Sequence, residues 1–332
     1  MSQPPVSQQP VNQPPTGPRL RVLFAGGGPF GLPTLTALPA RHEVVGVVTQ
    51  PDKPAGRGRK LTPTLIADAA VQLGLPVIKT PDINVETLPE TDVLVVIAFG
   101  QKLAAEVCDR PRLGSINLHA SLLPAWRGAA PIHHAVMAGD RVTGNTVIRL
   151  AEKMDAGQML GTVRTLITDT DTTGDVHDRL AELGVPLVLR VLDELAAGTA
   201  REVPQDHAAA TQARKLNREQ AVADFTLPAV AAARRVNGLS PWPGCHVRLL
   251  DGDAETDRLT LVRVRPVDDS PTHALTTTRP PEAGTVNEAG HITCGDGLAV
   301  EVLQVKPEGR PVMPLADYRN GKPWRVGMRL TA

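Results

Sequence analysis

Cysteine is scarce in this sequence. The 332 residues include three cysteines, Cys108, Cys245 and Cys294. Their spacing is not that of a metal site, and an odd, sparse count is typical of a reducing compartment without a disulfide framework. We therefore expect a cytoplasmic protein that has no metal centre.

An excess of one charge and a long apolar run are also missing. The 35 basic residues balance the 35 acidic ones, so the bulk charge indicates neither a nucleic-acid-binding protein nor a membrane-surface protein. No apolar run approaches the roughly 20 residues of a membrane-spanning helix. Residues 1–17 lack the basic start and the apolar segment of a signal peptide and are predicted to form a disordered tail.

Short apolar strands alternate with helical segments over the first 200 residues. The predicted strands are residues 19–25, 43–49, 92–98, 114–118, 143–150 and 160–167. The predicted helices include residues 62–73, 131–138 and 176–197, the last of them interrupted at Gly184 and Pro186. This alternation predicts an α/β fold built on a doubly wound, mostly parallel sheet.

The pattern changes near residue 200. Residues 201–216 are polar, alanine-rich and without a clear period, which is typical of a linker. Short alternating segments follow, separated by turns such as Asp251-Gly252, and they predict a small antiparallel barrel. The predicted domains are a tail (1–17), a catalytic domain (18–203), a linker (204–220) and a barrel domain (221–332).

The first strand runs into a glycine-rich turn, Gly-Gly-Gly-Pro-Phe-Gly at residues 26–31. The pattern G-x-G-x-x-G after a strand is the dinucleotide-binding fingerprint. Pro29 removes one amide that could face a pyrophosphate, and no acid ends the second strand. The alternative interpretation is a tight turn that needs glycine for backbone reasons.

A basic segment occupies residues 50–61. It carries four cations among two prolines and two glycines, namely Lys53, Arg57, Arg59 and Lys60. This composition predicts a mobile, exposed loop. Such a loop is either a solvated surface or a contact for a nucleic-acid backbone, and the composition alone leaves both open.

Residues 115–128 hold the clearest chemical signal, Ser-Ile-Asn-Leu-His-Ala-Ser-Leu-Leu-Pro-Ala-Trp-Arg-Gly. Alternate side chains of a strand share a face, so Asn117 and His119 are predicted to point the same way. Because parallel sheets bring successive loops to one edge, the turn at residues 154–157 can add the carboxylate of Asp155. Each of these residues also has a plain structural interpretation, as a strand end or as a turn former.

These three groups suit acyl transfer to an amine. A carboxylate near an imidazole can accept the proton that an attacking amine loses, and an amide and an imidazole N–H can stabilise an oxyanion. No serine or cysteine stands in a nucleophile elbow. The set therefore favours positioning and acid–base catalysis over a covalent intermediate.

Residues 117–132 closely resemble the formyltetrahydrofolate-binding signature of the folate-dependent formyltransferases, and Met154-Asp155-Ala156-Gly157 resembles the segment that carries the family's catalytic aspartate. Residues 50–61 are similar to the basic loop of the branch that formylates methionine on initiator tRNA. Residues 215–221, 237–243 and 295–298 also resemble that branch. The resemblance extends over about residues 19–330.

The resemblance implies a Rossmann-like core, an OB-like second domain and a role in translation initiation. The donor would be 10-formyltetrahydrofolate and the acceptor the α-amino group of initiator Met-tRNA. Asn117 and His119 would contact the formyl oxygen, and Asp155 would set protonation. The folate site would be lined by Ser121, Leu122, Leu123 and Pro124. The tRNA contacts would come from Lys53, Arg57, Arg59 and Lys60 and from the second domain, and we expect a monomer.

Two departures from the family pattern stand near the site. Gly27-Gly28-Pro29 replaces the usual Thr-Pro after the first strand, and Ala156 and Gln158 replace a frequent threonine and an acid near Asp155.

Three alternatives remain at this point. They are a sugar-nucleotide N-formyltransferase, an NAD-dependent oxidoreductase based on the glycine-rich turn, and a catalytically inactive tRNA-binding protein.

Overall fold

The structure is a computed structural model that describes residues 18–55, 58, 60–267 and 282–332. The predicted tail, residues 1–17, lies outside the described residues. Arg57 and Arg59 of the basic segment also lie outside them.

Strands and helices alternate through the first half of the chain. Its strands are β1 (Arg21–Gly26), β2 (Glu43–Thr49), β3 (Lys53–Ala55), β4 (Lys60–Thr62), β5 (Val77–Lys79), β6 (Val93–Ile97), β7 (Ser115–His119), β8 (Arg127–Gly128), β9 (Val142–Arg149) and β10 (Met159–Leu166). Its helices are α1 (Leu32–Ala37), α2 (Leu65–Gln72), α3 (Ala105–Asp109), α4 (Pro131–Ala138) and α5 (Thr173–Ala196).

Most of the regular elements in the second half of the chain are strands. Its strands are β11 (Gln212–Ala213), β12 (Cys245–Asp251), β13 (Ala254–Val267), β14 (Ile292–Thr293), β15 (Ala299–Pro307), β16 (Met313–Pro314) and β17 (Arg329–Thr331). Its helices are α6 (Ala229–Gly238) and α7 (Leu315–Arg319). The change from alternating elements to strands follows the change in sequence pattern near residue 200.

Seven strands form one sheet in the order β10-β9-β7-β6-β1-β2-β5. The pairs β1–β2, β1–β6, β2–β5 and β6–β7 are parallel, and β7–β9 is antiparallel. All five residues of β6 are buried, as expected for a strand that is covered on both faces. The predicted doubly wound, mostly parallel sheet is confirmed.

Two predicted helices have different limits in the structure. The helix predicted from residue 62 begins at Leu65, where the Thr64 hydroxyl accepts from the Ala67 backbone N–H at 3.0 Å, a standard N-cap. The predicted interruption at Gly184 and Pro186 is wrong, because α5 runs through both. A Cβ at residue 184 would lie 2.6 Å from the Leu118 side chain, so glycine allows close packing of α5 on β7.

The carboxyl-terminal strands form a nearly closed antiparallel barrel. The order is β14-β15-β13-β12-β17, with β16 paired to β15. Thr285 bridges to Arg329 in β17, and its neighbour Val286 bridges to Ile292 in β14, so these two residues join the ends of the sheet. Such closure removes free strand edges, and the predicted OB-like barrel is confirmed at the level of fold class.

Contacts divide the chain into two compact units. The first unit is Met1–Pro124, Asn145–Val163 and Leu180–Ala209. The second is Ala125–Gly144, Arg164–Arg179 and Ala210–Ala332. Because each unit is discontinuous in sequence, this division does not correspond to single cuts at residues 203 and 221, and those domain boundaries stay a prediction.

The segment predicted as an irregular linker is anchored in two places. Val203 and Met159 exchange backbone hydrogen bonds of 2.8 and 2.9 Å within the first unit. In the second unit β11 pairs in parallel with β8. Among the described residues, no helix is both long enough and apolar enough to span a membrane.

Candidate active site

The site begins at the carboxyl end of β7. Asn117 lies opposite Val96 of β6 and Ile148 of β9, and His119 lies opposite Thr146. His119 is buried, with 6% of its surface exposed, and Asn117 is half-buried. The period of two along the strand places both side chains on one face, where an open α/β sheet usually positions its functional groups.

The turn between β9 and β10 supplies the carboxylate. Asp155 has a left-handed backbone, φ +53°, a conformation that Asp adopts more readily than most residues. The Ala156 N–H donates to the Lys153 carbonyl at 3.2 Å and closes the turn. Asp155 Oδ1 lies 3.6 Å from His119 Nδ1, and both side chains are largely buried. The structure therefore brings together His119 and Asp155, which sequence reasoning had grouped.

Two further residues shape this turn: Gly157, which sequence reasoning named only as part of the turn, and Gln205, which it missed. A Cβ at Gly157 would lie 1.9 Å from the Arg149 carbonyl oxygen, so only glycine fits against β9. The Gln205 side-chain amide donates to the carbonyls of Asp155 and Gly157, at 2.8 and 2.7 Å. Gln205 follows the bridge between Val203 and the start of β10. The sequence around Gln205 is polar, so it did not predict that this side chain is buried.

The predicted folate loop follows directly from β7 and comprises Ser121, Leu122, Leu123 and Pro124. The Thr146 hydroxyl donates to the Ser121 carbonyl at 2.7 Å and accepts from the Leu123 N–H at 3.1 Å. Because Thr146 is fully buried opposite His119, its single hydroxyl ties the loop to the strand beside the imidazole. The site residues named so far all belong to the first unit.

The comparisons with known proteins show the family to which the chain belongs. The family described as "Formyl transferase" matches residues 19–192, and "Formyl transferase, C-terminal domain" matches residues 215–323. A methionyl-tRNA formyltransferase from Pseudomonas fluorescens (strain SBW25) is 49% identical over 242 residues, 71% of this chain and 76% of its own. One from Moorella thermoacetica is 39% identical over 319 residues, 93% and 98%. The chain belongs to the methionyl-tRNA formyltransferase family.

Solved structures agree at the level of fold. An N-formyltransferase from Helicobacter canadensis, in complex with folinic acid and dTDP-3-aminofucose, superposes with a TM-score of 0.63. The match covers 85% of this chain and 98% of that chain at 13% identity. An identity this low shows a shared fold and carries no information about the acceptor that a formyltransferase of this family uses.

The glycine-rich turn has a packing explanation. A Cβ at Gly26 would lie 2.6 Å from the Phe24 ring and 3.1 Å from the Ile97 carbonyl oxygen, and one at Gly31 would lie 3.0 Å from the same ring. These glycines make room for close packing between the turn, β1 and β6. The structure thus favours the tight-turn interpretation, with a steric cause in place of the backbone cause expected from sequence, and membership of the formyltransferase family disfavours the oxidoreductase alternative.

The basic segment is ordered at both ends. Strands β3 and β4 pair antiparallel, with Lys53 opposite Thr62 and Ala55 opposite Lys60. The expectation of a mobile loop is therefore wrong for these ends, because hairpin hydrogen bonds hold them. Lys53 and Lys60 are exposed as expected, and the Lys53 ammonium donates to the Gln50 side-chain oxygen. Arg57 and Arg59 lie outside the described residues.

The family signature continues in the second unit at Trp126. This residue has φ +62°, and its indole N–H donates to Asp140 at 2.7 Å. The ring stacks on His134 with centroids 5.6 Å apart, and its backbone N–H donates to the Thr211 hydroxyl at 2.8 Å. These contacts explain how a bulky residue is held in a left-handed conformation that alone would be strained.

The cysteines are unsuited to nucleophilic catalysis. Cys245 and Cys294 are buried in the barrel core, and desolvation raises the pKa of each thiol to about 12. Burial also raises the pKa of the Cys108 thiol above its ordinary value. Because the thiolate is the reactive form, all three remain protonated thiols near neutral pH.

Proposed function

We propose that this protein transfers the formyl group of 10-formyltetrahydrofolate to the α-amino group of methionyl-initiator tRNA, in the cytoplasm, for translation initiation. The observation that carries the proposal is the pair His119 and Asp155, 3.6 Å apart at the end of β7. It occurs in a chain that is 39–49% identical to proteins named methionyl-tRNA formyltransferase. We also expect the enzyme to act as a monomer.

The reaction forms a bond from the methionine nitrogen to the formyl carbon and breaks the bond from that carbon to N10 of the folate. The attacking amine must lose a proton and the leaving nitrogen must gain one. Asp155 would help to remove the amine proton, and the proposal is supported by the position of its carboxylate 3.6 Å from the His119 imidazole. General acid–base catalysis of this kind contributes about 10²- to 10⁴-fold.

Asn117 and His119 would stabilise the formyl oxygen as it gains negative charge. His119 faces Asp155 through Nδ1, and an imidazole has a second ring nitrogen that can take part in hydrogen bonding. Asn117 shares its strand face and offers an amide N–H. Donors held in a buried site need no reorganisation during the reaction, which makes them effective.

The loop of residues 121–124 has the chemistry expected for a folate site. It offers backbone amides and carbonyls next to apolar side chains, with Leu123 buried and Leu122 and Pro124 half-buried. Folate ligands combine a hydrogen-bonding ring system with a flat apolar face, so such a wall fits them. When bound, the donor supplies the activated formyl group, and the residues of this loop hold and orient it.

The basic hairpin and the barrel are proposed to contact tRNA. Lys53 and Lys60 are exposed on the hairpin, and flexible cations suit a phosphate backbone. An open cavity of about 470 Å³ on the barrel is lined in part by Arg248, Arg258 and Lys306. Arg258 is paired with Glu255 at 2.6 Å, and Arg248 donates to the Ala332 oxygen at 3.2 Å, so Lys306 is the better candidate for a phosphate contact there.

The proposal predicts that the purified protein converts Met-tRNA to formylmethionyl-tRNA in the presence of 10-formyltetrahydrofolate. The same mixture with a dTDP-linked amino sugar in place of tRNA is expected to yield no formylated sugar. Formylation of the sugar alone would favour the sugar-nucleotide alternative. A fluorescence titration with NAD provides a further control, and saturable binding would reopen the oxidoreductase alternative.

A separate prediction concerns the basic segment, residues 50–61. Arg57→Ala is expected to raise the KM for Met-tRNA several-fold, leave kcat nearly unchanged and make the dependence of log(kcat/KM) on log[salt] shallower by about one unit, because one phosphate contact is lost. Arg110→Ala, which removes an exposed cation at the end of α3, serves as the matched control. Unchanged tRNA kinetics in the Arg57 variant would show that the segment is a solvated surface that does not contact tRNA.

A further inference from the structure

We propose that Gln205 is a positioning residue for formyl transfer, which holds the Asp155 turn in the conformation that directs its carboxylate at His119. The inference rests on the proposed function. Its basis is a pair of hydrogen bonds from the Gln205 Nε2 group, 2.8 Å to the Asp155 carbonyl and 2.7 Å to the Gly157 carbonyl. Gln205 is 5% exposed.

The stereochemistry of the amide matches this task. A primary amide has two N–H donors, and in Gln205 they reach the carbonyls on either side of Ala156. Two bonds from one nitrogen therefore fix the directions of the Asp155–Ala156 and Gly157–Gln158 peptide groups. Neither donor remains for a substrate, so Gln205 acts through Asp155 and does not take part in the chemistry itself.

The turn needs such support because its backbone is unusual. Asp155 adopts φ +53°. This conformation costs free energy, so it persists only where the surroundings impose it. The turn's own closing bond, from Ala156 N–H to the Lys153 carbonyl, is 3.2 Å long. Gly157 is pressed against the Arg149 carbonyl of β9, so the turn can move away from β9 but not towards it. The two Gln205 hydrogen bonds hold the turn from a separate segment of the chain.

The segment that carries Gln205 is itself anchored. Val203 and Met159 are joined by two backbone hydrogen bonds of 2.8 and 2.9 Å, and Glu202 accepts from Arg149 Nε at 2.8 Å. These contacts tie residues 202–203 to β10 and β9, the two strands that flank the turn. The pairing of residues 202–203 with these strands therefore positions the side chain of residue 205 at the turn.

The test compares Gln205→Met and Gln205→Glu with Gln212→Glu. Methionine keeps nearly the volume but has no donor, and a carboxylate cannot donate to two carbonyls. We expect kcat to fall by about 10- to 100-fold in both Gln205 variants, because a displacement of about 1 Å at a catalytic group has effects of this size. The KM for Met-tRNA and the Kd for the folate donor should stay within about twofold of wild type. Gln212 is exposed, so Gln212→Glu should behave as wild type.

A second readout does not depend on activity. The side-chain ¹⁵N resonances of His119, followed through a pH titration by NMR, should change in Gln205→Met and remain unchanged in Gln212→Glu, because the carboxylate moves relative to the imidazole. If wild type fails to formylate Met-tRNA, the proposed function is wrong, and the NMR comparison still decides the role of Gln205. Wild-type kcat together with an unchanged His119 titration would overturn the inference. Loss of folded structure in both Gln205 variants, seen by circular dichroism, would also overturn it by making the residue purely structural.

Discussion

His119→Ala is expected to lower kcat for formyl transfer by about 10²- to 10³-fold, equivalent to roughly 2.7–4 kcal/mol of lost transition-state stabilisation. The imidazole is buried at the end of β7 and faces Asp155 at 3.6 Å, so its removal deletes the proposed oxyanion donor and the ring that faces the carboxylate. The loop proposed to hold the folate is tied to Thr146 through its backbone. Donor binding should therefore change little.

Single-turnover formylation of Met-tRNA at saturating donor measures this effect on the chemical step, and equilibrium titration with the folate donor measures binding. His207→Ala is the matched control, since His207 is exposed in a short helical turn. Turnover at the wild-type rate in His119→Ala would remove His119 from the mechanism. A large loss of donor affinity would instead assign the imidazole to binding.

Asp155→Asn is expected to have an effect of comparable size, about 10²- to 10⁴-fold on kcat, the range for loss of a general acid–base group. Asparagine has nearly the same shape as aspartate and also adopts the left-handed conformation that residue 155 requires, φ +53°. The two hydrogen bonds from Gln205 end on main-chain carbonyls, so they persist in the variant. The substitution therefore isolates the charge from the backbone geometry.

The measurement is kcat as a function of pH at saturating Met-tRNA and donor. Asp206→Asn makes the same chemical change at an exposed position. It keeps the oxygen that accepts from the Ala208 N–H, as Asp206 does at 3.0 Å, and should retain wild-type kinetics. A variant with wild-type kcat and an unaltered pH profile would show that Asp155 is only a turn former, the structural interpretation that its sequence context permits.

Substitutions at Asp155 and at Gln205 test two different effects. Asp155→Asn changes the charge at fixed geometry, and Gln205→Met changes the geometry at fixed charge. If catalysis requires both, the two variants should lower kcat for different reasons, and only the Asp155 variant should remove the carboxylate from the pH dependence. The two substitutions therefore test Asp155, which is proposed to react, separately from Gln205, which is proposed to position it.

Some elements could be predicted from sequence because local rules decide them. The helix Pro131–Ala138 has its predicted limits: proline suits a helix start, and Gly139, with φ +77°, ends it. The strand Ser115–His119 places Asn117 and His119 on one face because the side-chain period of a strand is two. In the second domain, alternating segments separated by glycine turns predicted the barrel strands for the same reason.

Other elements departed from prediction because distant residues decide them. Helix α5 continues through Gly184 because that glycine packs against Leu118, where a Cβ would lie 2.6 Å away. The basic segment forms a hairpin at its ends because residues 53–55 and 60–62 pair with each other. Residues 201–216 looked like a linker because neither hydrophobic period is present, yet backbone pairing with Met159 orders Val203 and buries Gln205.

The sequence by itself determined the fold class, the two residue types on one face of β7 and, through its similarity to known formyltransferases, the reaction class. Strand periodicity and motif identity are local, so they can be recognised without coordinates. Only the tertiary structure decided that Asp155 lies 3.6 Å from His119, that Gly157 alone fits against Arg149, and that Gln205, 50 positions from Asp155, holds the turn. These contacts depend on how β9, β10 and the segment after α5 pack together, and no periodic signal in the chain encodes that packing.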